Sequence, residues 1–144
     1  MHCHRVDLIA KSAKRLELNN IIAETNDATV YNPNFDLADK VLCDVPCSGF
    51  GIIRRKPEIR YKNLDSIKDL PSVQLKILQT SSLYLKVGGV MVYSTCTLNK
   101  KENEKVVNTF LEKNKNFELI EEKTTFPDIQ GGDGFYWAKL KKYD

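Results

Sequence analysis

Apolar residues recur along the chain with two different periods, and the changes of period divide it into elements. Between residues 4 and 18, Val6, Leu8, Ile9, Ala13, Leu16 and Leu18 fall at spacings of three and four, which predicts a helix. Asn19-Asn20 is its expected stop, because Asn tolerates the left-handed conformation past a helix end. Ile21 to Thr25 reads as a short strand, with Asn26-Asp27-Ala28 at its carboxyl end. Residues 29–38 read as loop, Asn32-Pro33-Asn34 being a turn signal. Lys40 to Cys43 is too apolar for a half-exposed strand and is expected to be buried. Leu70-Pro71 opens a second helix, with Pro near its first position. Its inward residues are Val73, Leu75, Ile77, Leu78, Leu83 and Leu85, and Val87-Gly88-Gly89 ends it. Val90 to Ser94 is the next strand. Asn99, three residues before Glu102 in a near capping box, starts a helix running to about Asn114 with Val106, Val107, Phe110 and Leu111 inward. Phe117 to Ile120 is a strand, Gly131 to Gly134 a tight turn, and Phe135 to Leu140 alternates as the last strand.

Helix, strand, strand, helix, strand, helix, strand, strand is an α/β layer pattern. Doubly wound sheets open on a strand, a glycine-rich turn and a helix that hold a cofactor. This chain opens on a helix and carries neither G-x-G-x-x-G nor G-x-x-x-x-G-K-[ST]. The stretch from Asp44 to Asp69 is long for a loop in a compact domain, and such loops are usually functional or mobile.

Composition narrows the picture only modestly. The chain has 144 residues, 42% hydrophobic and 28% charged, enough for one soluble domain with a core. No run approaches the length of a membrane-spanning helix, and the N-terminus lacks a signal-peptide apolar region, so a cytoplasmic location is expected. Four cysteines, Cys3, Cys43, Cys47 and Cys96, are expected as free thiols. No C-x-x-C pair supports a metal site. Cys43 reads as a small buried hydrophobe. Cys47 and Cys96 sit where strands hand over to loops. The net charge of +3 permits nucleic-acid binding without requiring it, but Arg54, Arg55, Lys56, Arg60 and Lys62 are concentrated directly after Cys47.

Two strand-end cysteines, one beside Asp44, suggest nucleophilic chemistry. The residues Asp44-Val45-Pro46-Cys47-Ser48-Gly49-Phe50-Gly51 resemble the DxPCSGxG motif of RNA cytosine-5 methyltransferases. Ser94-Thr95-Cys96-Thr97-Leu98 with Glu102-Asn103 resembles that family's second cysteine motif. Ile52 to Tyr61, and Asp133 to Leu140, are similar to its bacterial Sun/Fmu branch, which methylates a cytosine of 16S ribosomal RNA. The resemblance covers nearly the whole chain. It implies a Rossmann-like class I methyltransferase fold and S-adenosylmethionine as cofactor.

The resemblance also assigns roles. Cys96 is implied as the nucleophile that adds to C6 of cytosine, and Cys47 as the thiol assisting product release. The residues alone leave the two unranked, since DNA enzymes of related chemistry use the cysteine of the Pro-Cys motif. Asp44 is implied beside both cofactor and base, against the plainer reading of a loop-capping acid. Asp27 is similar to the family acid near the cofactor's adenine, against the reading of a turn Asp. Arg54, Arg55, Lys56 and Arg60 would bind RNA phosphates, and Tyr61 would either stack on a base or pack. His2 and His4 are expected at the surface, and Trp137 over the last strand.

The family's glycine-rich cofactor loop has no counterpart here. Residues 1–144 are therefore expected to form the C-terminal part of the catalytic domain, N-terminally truncated, with impaired activity on its own. An exposed sheet edge and self-association through it are expected. The alternatives are a non-catalytic RNA-binding remnant and, more remotely, a thiol redox protein using Cys43 and Cys47.

Overall fold

The computed structural model describes residues 3–127 and 131–144. His2 and the side chain of His4 lie outside the described residues. Helix α1 spans Cys3–Arg15. Glu17 takes a left-handed φ of 56°, and the N–H groups of Glu17 and Leu18 close back on the carbonyls of Lys14 (3.1 Å) and Ala13 (2.9 Å). This main-chain closure satisfies the last carbonyls of the helix. The stop thus falls on Glu17, before Asn19-Asn20 is reached.

Four strands form one sheet in the order β1-β2-β4-β3. They are β1 (Ala38–Asp44), β2 (Leu85–Thr95), β3 (Phe117–Thr125) and β4 (Phe135–Lys142). β1 and β2 are parallel, while β4 runs antiparallel to both β2 and β3. The strand expected over Ile21–Thr25 is absent: residues 21–27 have no regular structure, and Ile22 is 87% exposed. A strand exists only where a neighbour completes its ladder, and none of the described strands pairs with this segment.

The same absence of a neighbour corrects the reading of β1. It pairs with β2 alone, so it is an edge. Cys43 is buried as expected, but Lys40 is exposed and Leu42 is 71% exposed. The apolar run reads as a central strand because its composition suits burial on both faces, and the structure covers only one.

Helices α2 (Leu70–Leu83) and α3 (Glu104–Lys113) pack against each other and on the sheet. The core joins Leu78, Met91, Tyr93, Val107, Phe110, Tyr136, Ala138 and Leu140, all fully buried. Each large side chain buried in this way contributes roughly 1.5–3 kcal/mol. The alternation of β4 is as expected, with Tyr136, Ala138 and Leu140 inward and Trp137 half-buried on the other face.

Three boundaries differ from the pattern. α2 ends at Leu83, so Leu85 begins β2 instead of closing the helix. Ala38 pairs with Leu85 and Lys40 with Val90, so residues 86–89 bulge out of the ladder around Gly88, whose φ is 78°. On α2, Val73 and Leu83 face outward while Gln74 is buried with Ile77 and Leu78. α3 starts at Glu104 rather than at Asn99, because the Glu102 carboxylate that would close a capping box is used elsewhere. The long connection from β1 to α2 is filled by three 3-10 turns, Phe50–Ile52, Pro57–Tyr61 and Leu64–Ile67.

Candidate active site at the carboxyl ends of two parallel strands

Because β1 and β2 run parallel, Asp44 and Ser94 are register partners at the same sheet edge. Open α/β sheets bind ligands along this edge. The Ser94 hydroxyl donates to Asp44 Oδ1 at 3.0 Å, and the Val45 N–H donates to the Ser94 carbonyl at 3.2 Å. The two cysteine loops therefore leave the sheet side by side.

Gly51 fastens them together. Its N–H donates to the Cys96 carbonyl (3.0 Å), and its own carbonyl accepts from the Gly134 N–H (2.7 Å). A Cβ at Gly51 would stand 1.9 Å from the Gly134 carbonyl oxygen, so no larger residue fits where three backbones meet. The fold requires this close approach at Gly51.

With the loops so held, Cys47 Sγ lies 3.2 Å from Cys96 Sγ, both half-buried. Burial, and then the hydrogen bond with Cys96, push the Cys47 thiol up to about 12. Cys47 is thus a protonated thiol near neutral pH. Burial also pushes Cys43 upward.

A buried polar network lies beneath the thiols. Ser48, Gln74, Thr97, Glu102 and Asn103 are each at most 1% exposed. Glu102 Oε2 accepts from the Ser48 N–H (2.9 Å) and Gln74 Nε2 (3.0 Å), and Oε1 accepts from Asn99 Nδ2 (2.8 Å). Gln74 Nε2 also donates to the Pro46 carbonyl (2.9 Å). The hydroxyls of Ser48 and Thr97 share a 2.7 Å hydrogen bond. Asn103 accepts from the Thr95 hydroxyl (2.7 Å) and donates to the Thr97 carbonyl (2.9 Å). Lys62 Nζ reaches the Ser48 carbonyl at 2.9 Å. Each residue flanking the thiols is held by at least one of these bonds.

The structure thus brings together Cys47, Cys96 and Asp44. Asp27 stands apart from this network in an exposed turn, where its Oδ1 accepts from the N–H and hydroxyl of Thr29. Those two bonds, the side-chain one first, hold its carboxyl below the usual range. Next to it, a cleft of about 470 Å³ is lined by Glu24, Asn26, Asn34 and Asp36, among others.

Within the basic run, Arg54 donates to the Gly131 carbonyl, and Arg55 pairs with Asp133 at 2.6 Å. Lys56 and Arg60 are exposed, and the Tyr61 ring is 88% exposed, not packed. Among the described residues no cluster of His, Cys, Asp or Glu forms a metal site.

Sequence reasoning missed Gln74 and the roles of Lys62 and Glu102 in the network. Gln74 had a readable signal: it precedes Ile77 and Leu78 by three and four residues, so it lies on the inward face of α2. The contacts of Lys62 and Glu102 with Ser48, and of Glu102 with Gln74, had none, since those partners are distant in the chain.

Comparison with known proteins agrees with this geometry. The family model described as 16S rRNA methyltransferase RsmB/F matches residues 1–141. The probable ribosomal RNA small subunit methyltransferase B of Bacillus subtilis (strain 168) is 38% identical over 99% of this chain and 36% of its own length. Its counterpart from Yersinia enterocolitica is 41% identical over 96% of this chain and 34% of its own. The chain therefore spans about a third of the length of the curated relatives it matches. Among solved structures, NSun6 of Pyrococcus horikoshii with SFG superposes with a TM-score of 0.85 at 28% identity, over 99% of this chain and 40% of that one. A methyltransferase homolog protein of the same organism gives 0.82 at 27% identity, over 96% of this chain and 50% of that one. The α/β sheet is the Rossmann-like sheet of class I methyltransferases.

Proposed function

The chain belongs to the 16S rRNA methyltransferase RsmB/F family, and on that premise we propose that it carries the cysteine side of a site for methylating C5 of a cytosine in ribosomal RNA, in the cytoplasm, with S-adenosylmethionine. The whole chain is read as the C-terminal part of the catalytic domain, with impaired activity on its own. The observation that carries this reading is the pair of thiols 3.2 Å apart at the carboxyl edge of β1 and β2.

C5 of cytosine is a weak nucleophile. Addition of the Cys96 thiolate to C6 turns the ring into an enamine with electron density at C5. When bound, the cofactor supplies the methyl group, as a sulfonium substituent. Loss of the C5 proton to water and elimination of Cys96 as a thiolate then restore the aromatic ring. Cys47 is suited to the second role rather than the first: its thiol stays protonated near neutral pH and sits in hydrogen-bond contact with the Cys96 sulfur. It can return a proton to the departing thiolate.

Asp44 fits the reading on its own geometry. It is exposed, and among the described residues its Oδ1 alone is engaged, with Ser94. Its second oxygen is left for the base or for a cofactor hydroxyl or ammonium group. Asp27 offers a similar acceptor beside the cleft of about 470 Å³. These carboxylates suit the donors of S-adenosylmethionine and are the residues of this chain that would hold it.

The test is covalent trapping on RNA containing 5-fluorocytosine at millimolar cofactor, read on a denaturing gel. Cys96→Ala is expected to abolish the adduct and Cys47→Ala to leave it. Loss in Cys47→Ala alone would reverse the two roles. RNA binding with no adduct from the unaltered chain would favour the non-catalytic RNA-binding remnant.

Self-association follows from the edge strand. β1 leaves one side of its backbone unpaired and shows Leu42 to solvent. Light scattering is expected to show dimers or larger species as concentration rises. A clean monomer at millimolar concentration would contradict this.

A further inference from the structure

We propose that the groove between the starts of α2 and α3 takes the single-stranded RNA segment flanking the target cytosine. This rests on the RNA reading above and extends it to a surface that meets the thiol network at Asn99 and lies outside the basic run at 54–60. A cleft of about 550 Å³ has an apolar floor of Phe50, Ile67, Pro71 and Leu98 and a rim carrying Lys68 and Lys101. A second cleft of about 210 Å³ continues it, sharing Pro71 and Lys101 and adding Lys105. Among the described residues no acidic side chain lines either cleft.

Lys101 and Lys105 are exposed. Lys68 is held at 2.5 Å by Asp65, both side chains more than 70% exposed, and a surface pair of this kind is readily exchanged for a phosphate. Ammonium groups along an apolar floor with an aromatic ring are what single-stranded nucleic acid requires: the charges track the phosphates and the ring stacks a base. An acidic peptide would use the lysines but not the floor.

Position supports the same occupant. Phe50 lies three residues after Cys47 and Leu98 two after Cys96, and the hydrogen bond from Gly51 to Cys96 holds these loops together. The groove is thus lined from both cysteine loops, by Phe50 and by Leu98. By contrast, Arg54 and Arg55 have their guanidinium groups engaged on Gly131 and Asp133.

The experiment is fluorescence anisotropy of a fluorescein-labelled single-stranded RNA dodecamer, titrated with the 144-residue chain at rising salt. The double variant Lys101→Glu with Lys105→Glu is expected to bind about tenfold more weakly. Its slope of log affinity against log salt should fall by about 1.4, at roughly 0.7 for each phosphate of a single strand that is no longer neutralised. Phe50→Ala is expected to weaken binding about fivefold or more with the slope unchanged, since stacking releases no counterions. Circular dichroism melting checks that the variants fold, and the Gln double variant should show the same ordering with smaller losses.

If the lysine variants keep the parental affinity and slope while Arg54→Glu with Lys56→Glu loses them, the groove is overturned and the RNA reading stands. If the unaltered chain binds no RNA at low salt, both fall. Displacement of the RNA by polyglutamate of equal charge at equal concentration would overturn the RNA assignment in favour of a general polyanion surface.

Discussion

At the scale of single residues, Cys47 and Cys43 are both shielded thiols, at different depths. Cys47 is held as a thiol up to about 12 by burial and by its contact with Cys96, while Cys43 lies deeper and is also pushed upward by burial. Only thiolate alkylates, so both should react slowly with iodoacetamide at pH 8. Because the pKa is raised, the thiolate fraction of Cys47 should climb about tenfold per pH unit up to its pKa. Peptide mass spectrometry after timed labelling checks this, and prompt labelling of Cys47 at pH 8 would contradict it. At this scale much was legible. Short apolar runs ending at an acid or a cysteine placed Asp44, Cys47 and Cys96 where strands hand over to loops before any fold was known. That Cys47 stays protonated was not legible, because it depends on burial and on the 3.2 Å approach of two sulfurs far apart in sequence.

At the scale of elements, the two cysteine loops are held by Glu102, from the end of the second motif, and by Gln74 of α2. Glu102 is 1% exposed and accepts from Ser48, Gln74 and Asn99. Glu102→Ala would leave those donors buried without an acceptor, and a loss of about 3 kcal/mol is expected. Denaturant midpoints measure it, and an unchanged midpoint would show that the network contributes little. The helices themselves were legible from spacing. Their ends were legible only in part: α2 starts at Leu70 and α3 ends at Lys113, within a residue of the pattern, while the end of α1 and the start of α3 were set by something the pattern does not contain. α1 stops where Glu17 can turn left-handed, and α3 starts late because Glu102 serves the network instead of a cap. Gln74 shows how a polar residue on an apolar face can mark a site when it is read as an anomaly and not as noise.

At the scale of the whole molecule, the sheet has a shape that composition could not supply. The run of apolar residues in β1 indicates a strand, but only topology says that it is an edge with Leu42 in solvent. The missing strand at residues 21–25 has the same origin, since pairing is a property of neighbours and not of the segment. One contact also has a consequence for the molecule as a whole. Two thiols 3.2 Å apart need only about 1 Å of approach to become a disulfide. Hydrogen peroxide would supply the oxidation, the thiols giving up two hydrogens and the peroxide leaving as two waters. The resulting link would close a loop of 49 residues and, in the chain-entropy account, add about 4 kcal/mol to stability. Peroxide treatment is therefore expected to raise the melting temperature by roughly 10 °C while removing every trace of adduct formation, and dithiothreitol should reverse both. The oxidised chain would be the tougher form and the reduced chain the reactive one, so durability and chemistry in this protein would be set against each other by a single bond.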